Sequence, residues 1–235
     1  MMKRIFFALA MTVMAGGAGA QRRVATLNNG WVFSRDSLFT TTEVVDVPHD
    51  FQVGQPWVAP SADERADNSN AAANTRSRLS ARGFKEMGTG WYRRKLRVKS
   101  EELRVKPRVL LDFEGIMLVG DVFLNGERIG GTDYGYVGFQ IDISKKLKEG
   151  ENTLVVKAST MGEKNSRWYT GGGLIRNVSL VTTAADLYFD RHPLYITTKG
   201  NKTVRVQAAF TNNKERTTLS VDDLLPERGN DQGDG

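Results

Sequence analysis

Val122-Phe123-Leu124-Asn125-Gly126-Glu127-Arg128-Ile129 reads as two short strands folded back on each other. Asn-Gly accepts positive φ at both central positions of a two-residue turn, the geometry whose twist matches the flanking strands. Period-two patterning extends outward from this hairpin in both directions. Upstream, Val109-Leu110-Leu111-Asp112-Phe113 is a mostly buried strand. Trp91 to Lys99 places Arg93, Lys95, Arg97 and Lys99 on one face and Leu96 and Val98 on the other. Trp31-Val32-Phe33 and Glu43 to Val47, ending at Pro48, read as short edge strands. Downstream, Phe139, Ile141 and Ile143 alternate with Gln140 and Asp142. Lys148-Glu149-Gly150-Glu151-Asn152 is a turn leading into Thr153-Leu154-Val155-Val156, and Val178-Ser179-Leu180-Val181 closes the series. Short strands at regular spacing, without a run of amphipathic helix, predict an all-β antiparallel β-sandwich or jelly roll.

After about Ala184 a second unit begins. Leu194 to Thr198 and Thr203 to Ala208 are strands separated by Lys199-Gly200-Asn201-Lys202, as at the start of an immunoglobulin-like sandwich. Such a sandwich needs about 100 residues, and only 187–235 remain, so the second unit is expected to be incomplete. Asp222 to Gly235 is polar and Gly-rich, with little to bury. Ala59 to Arg82 is dominated by Ala, Ser, Asn, Asp and Arg without an apolar period, and reads as a long surface loop.

The N-terminus is written as a targeting segment. Lys3 and Arg4 precede an apolar stretch from Ile5 to Ala15, too short to span a bilayer, and Ala18-Gly19-Ala20 gives a small-x-small cleavage pattern. Cleavage after Ala20 is expected to export the protein to the periplasm or the outside of the cell. The chain has no cysteine, which excludes disulfides, thiolate metal sites and a lipidated cysteine, so no membrane anchor is expected. The formal charge is +6; without Lys3 and Arg4, 31 basic residues stand against 27 acidic ones. The densest basic run is the solvated face of the strand at Trp91 to Lys99. No nucleic-acid recognition fold accompanies it, so no nucleic-acid partner is expected.

Two histidines, His49 and His192, rule out a three-histidine zinc site, and neither a Gly-x-Ser-x-Gly elbow nor a phosphate-binding loop occurs. Gly171-Gly172-Gly173 precedes a strand and reads as a tight turn. No cofactor is implied. Asp112, Glu114, Asp121, Asp133 and Asp142 lie in or near strands, but nothing pairs two of them as acid and base. One segment concentrates aromatic and planar polar groups: Asn165-Ser166-Arg167-Trp168-Tyr169, followed by Arg176-Asn177. Aromatic faces suit the C–H side of a pyranose, and amide or guanidinium groups suit its hydroxyls. By residue type alone, Trp168 and Tyr169 fit an anchor in the core or a domain interface equally well.

Five elements, in order, resemble glycoside hydrolase family 2. They are Val47-Pro48-His49-Asp50-Phe51, Gly90-Trp91-Tyr92-Arg93-Arg94, Phe113-Glu114-Gly115-Ile116 with Val122 to Gly126, Phe139 to Ile143 with Leu147 and Gly150-Glu151-Asn152, and Ser166 to Val178. After the signal peptide read from the sequence (1–20), the resemblance implies a jelly-roll, galactose-binding-like domain (21–184) and an incomplete immunoglobulin-like domain (185–235). A (β/α)₈ barrel with two catalytic glutamates, needing about 250 residues, would then follow. It further implies a retaining, β-galactosidase-like enzyme of carbohydrate catabolism as the parent, and an inactive fragment here, because the family's Asn-Glu acid/base dipeptide does not occur. The expected partners are a β-galactoside substrate and the missing barrel. Asn165, Ser166, Arg167, Trp168, Tyr169, His49 and Asp50 are the candidate sugar-binding residues. Some members carry a sugar-contacting acid where this chain has Ser166, so that contact does not transfer. A β-glucuronidase or β-mannosidase parent, a stand-alone lectin-like module and a purely structural buttress are the alternatives.

Overall fold

A computed structural model of the chain describes residues 22–59, 83–100, 107–161, 169–183, 188–199, 203–211 and 216–224. The expected leader, all of the expected Ala59–Arg82 loop beyond Ala59, and residues 225–235 of the polar tail lie outside them.

The chain divides into two compact units at Thr182/Thr183. The first is a two-sheet sandwich. Its strands are β1 (Arg22–Thr26), β2 (Trp31–Ser34), β3 (Glu43–Val45), β4 (Thr89–Val98), β5 (Arg108–Phe113), β6 (Val119–Leu124), β7 (Glu127–Thr132), β8 (Phe139–Asp142), β9 (Gly150–Ser159) and β10 (Val178–Thr183). One sheet has the order β3-β2-β4-β9-β6-β7 and the other β1-β10-β5-β8. The β6–β7 hairpin closes on Leu124↔Glu127 around Asn125 and Gly126, both at positive φ (52° and 87°), as the Asn-Gly pair requires.

Alternation decides which side chains enter the sandwich. In β4, Tyr92 and Leu96 point inward and are buried, while Lys95 and Arg97 are exposed. In β9, Asn152, Leu154, Val156 and Ala158 are buried on alternate positions. With Trp31, Phe33, Leu111, Phe113, Val122 and Leu180, the apolar three (Leu154, Val156 and Ala158) form one core. Each fully buried large side chain there contributes about 1.5–3 kcal/mol. The Trp31 indole meets Tyr92 edge-on at 6.4 Å and donates to the Leu27 carbonyl, so its polar edge is satisfied inside the core.

Two sequence expectations need correction. β2 is not an edge strand: it pairs with β3 on one side and β4 on the other, because Trp31 and Phe33 both belong to the core. The turn expected over Lys148–Asn152 ends early, since Gly150 to Asn152 already pair with Leu96 to Val98 of β4. Buried Asn152 staples that corner: its amide donates to the Lys148 carbonyl, and its carbonyl accepts from the Lys148 N–H and the Asn125 side chain.

The second unit is an antiparallel meander of β11 (Tyr188–Lys199), β12 (Thr203–Thr211) and β13 (Arg216–Leu224). β13 takes in the first residues of what reads as a polar tail, pairing Asp222 with Arg205 and Asp223 with Val204.

Candidate functional site

At one end of the first unit, the segment after β3 meets the loop before β10. Backbone bonds tie the two together: the His49 N–H donates to the Leu174 carbonyl (2.7 Å) and the Phe51 N–H to the Gly172 carbonyl (2.9 Å). Gly173 and Met117 exchange a pair of bonds on the other side of the loop. The loop is thus held between two partners.

Asp50 fastens this junction. Its Oδ1 accepts from the N–H groups of Gln52 (2.9 Å) and Gly172 (2.8 Å), and its Oδ2 accepts from the Tyr169 hydroxyl at 2.8 Å. The triple-glycine run, which reads as a plain turn, therefore presents an N–H to a carboxylate of its own chain. Glycine is required there for packing: a Cβ on Gly172 would press on Thr160 and Phe51, and one on Gly171 would approach Asp50 Oδ2 to 2.9 Å.

His49 and Tyr92 form the floor. The Tyr92 hydroxyl lies 2.9 Å from His49 Nδ1, and Phe33 packs against both rings. The same hydroxyl lies 3.4 Å from the His49 carbonyl oxygen, to which it donates. Burial pushes the Tyr92 phenol well above its ordinary value, and burial likewise lowers the His49 pKa from 6.5 despite the opposing charges of Glu43 and Asp50. A histidine that holds its proton less tightly folded than unfolded makes stability fall as pH drops below about 6.5. The melting temperature should therefore decline from pH 7.5 to 5.5, and His49→Gln should flatten that slope; an equally steep decline in the variant would exclude His49 as its source.

Above this floor opens a cleft of about 260 Å³. Pro48 and Ile175 give it apolar walls, and His49, Asp50, Tyr169 and Thr170 give it polar ones. Of the sequence candidates, the structure brings His49, Asp50 and Tyr169 together here. Asn165, Ser166, Arg167 and Trp168 lie outside the described residues. Sequence reasoning missed Pro48, Thr170, Ile175 and the supporting Tyr92. Period two was the available signal for Tyr92, which shares its face with buried Leu96 rather than with Arg93 and Lys95.

The strand carboxylates have other employment. Asp121 pairs with Arg128 and Lys157, Asp142 with Arg108, Asp112 accepts from Gln140, and Glu114 accepts from Asn177.

Residues 78–172, which span β4 to β9 and reach this loop, match the glycosyl hydrolase 2 galactose-binding domain-like family. Over these residues the chain is similar to the galactose-binding-like domain of glycosyl hydrolase family 2. Its relatives are much longer. The β-galactosidase BoGH2A of Bacteroides ovatus is 32% identical over 141 residues, 60% of this chain and 15% of that protein. A β-glucuronidase of Bacteroides fragilis is 28% identical over 173 residues, 70% of this chain and 21% of that protein. A family 2 member from Bacteroides cellulosilyticus shares the fold, with a TM-score of 0.66 at 21% identity over 87% of this chain and 31% of its own. The chain thus spans between a seventh and a third of the proteins that this galactose-binding-like domain resembles.

Proposed function

We propose that this chain is the sugar-facing N-terminal region of an exported retaining glycoside hydrolase that acts on terminal β-galactosides. The observation that carries the reading is the family 2 match over residues 78–172, in a chain that covers 15% of a β-galactosidase relative. On this reading the first unit contributes the cleft at His49, Asp50 and Tyr169. Asn165 to Trp168, outside the described residues, supply the remaining candidate sugar contacts. The second unit is the opening of an immunoglobulin-like sandwich, and the hydrolytic glutamates belong to a barrel on the same polypeptide. Lys3 to Ala20 supports export and the lack of cysteine supports a form without a lipid anchor.

The test is direct. The DNA following Gly235 is read in all three frames, and the polypeptide it encodes is produced joined to this chain and assayed on aryl β-galactosides and β-glucuronides. The joined protein is expected to cleave the galactoside, the present chain to cleave neither, and Arg167→Ala in the joined protein to raise KM. Absence of a barrel downstream would overturn the parent enzyme. Preferential cleavage of the glucuronide would overturn the galactoside assignment.

A further inference from the structure

We infer that the cleft over His49 and Asp50 is a subsite for a neutral pyranose and discriminates against uronic acids. This rests on the sugar-facing reading above and goes on to the class of sugar. Three observations carry it. First, the cleft's volume of about 260 Å³ accommodates one monosaccharide ring, and its walls pair apolar Pro48 and Ile175 with polar Asp50, Tyr169 and Thr170. A pyranose has the same split, with C–H groups on one side and hydroxyls around its rim.

Second, Asp50 is the charged residue among the described lining groups, and no described cation pairs with it. Its three donors, two backbone N–H groups and a phenol, are neutral, so they orient the carboxylate and leave its charge in place. Oδ2 receives one donor and keeps a lone pair for a sugar hydroxyl.

Third, His49 adds no compensating charge. Its burial favours the neutral ring, and Glu43 acts on it with the same sign as Asp50. Arg35 lies over Phe51, outside the cleft lining. A uronate seated in this cleft would bring a second carboxylate close to Asp50. In a half-exposed cleft that proximity costs roughly a factor of ten in affinity.

The experiment titrates methyl β-galactoside and methyl β-glucuronide into the intact chain at pH 7.5, followed by calorimetry or amide chemical shifts. Asp50→Asn is the companion variant, since its carbonyl still accepts the two N–H groups that hold the loop. The expected result is about tenfold tighter binding of the galactoside, falling to about twofold in the variant. Equal or tighter binding of the glucuronide by the unmodified chain would overturn the inference and leave the sugar site standing. A preference that survives Asp50→Asn unchanged would also overturn it, by removing the charge as its origin. If neither sugar binds, the cleft is not a sugar site and this inference falls, while the parent-enzyme reading is still decided by the joined protein's activity.

Discussion

Alanine at Gly173 is expected to lower the melting temperature of the chain by roughly 8–16 °C, from a cost of about 4 kcal/mol at 2–4 °C per kcal/mol. Gly173 sits at φ 126°, a conformation that side-chain-bearing residues avoid. A Cβ there would also overlap the Tyr92 hydroxyl and come within 2.7 Å of the His49 carbonyl oxygen. The loop cannot slide away to make room. The Gly173 N–H donates to the Met117 carbonyl at 2.8 Å and its own carbonyl accepts from Met117 at 2.9 Å, so a shift breaks both bonds. Gly30→Ala separates the two contributions. That glycine is at φ 74° with nothing within 4 Å of an added Cβ, so it carries backbone strain alone, about 1 kcal/mol. If Gly173→Ala melts no lower than Gly30→Ala, the close approach of loop and floor is wrong.

The difference between these two glycines shows what was legible in the sequence. Local rules predict elements whose cause is local. Asn125-Gly126 announces its hairpin because the turn itself demands positive φ, β8 announces itself through alternation of Phe139 and Ile141 with Gln140 and Asp142, and β5 through its short apolar run. The site is different in kind. Asp50 bonds Tyr169 and Gly172 from 119 and 122 positions away, and no periodicity encodes a contact of that separation. His49 and Asp50 entered the candidate set through a motif resemblance, which does not say what they touch. The status of β2 failed for a related reason. A four-residue strand can pair on one side or both, and only the burial of Trp31 and Phe33 in the finished sandwich settles it. Likewise β13 is polar in writing, and it becomes a strand through its register with β12.

Asp50→Ala is expected to cost about 3 kcal/mol, a fall of roughly 6–12 °C in melting temperature. Three donors lose a charged acceptor: the N–H groups of Gln52 and Gly172 and the Tyr169 hydroxyl. A charge-assisted bond contributes about 1.5–3 kcal/mol, and the total is set well below three full bonds because the Tyr169 end is exposed to water. Asp50→Asn keeps a carbonyl for the two backbone donors and offers its NH₂ to the Tyr169 oxygen, so it should lose about 1 kcal/mol. Tyr169→Phe should lose no more than that. The order Ala far below Asn and Phe is the signature of a clamp. A carboxylate present only to meet a ligand is a burden to the unliganded fold, and its removal would leave stability unchanged or raise it. Hydrogen exchange locates the effect: the Gly172 amide should lose protection in Asp50→Ala while amides at the centre of β9 keep theirs. Equal protection at Gly172 in both proteins would mean that the loop is held by its backbone bonds to Phe51 and Met117, and that Asp50 serves the cleft alone.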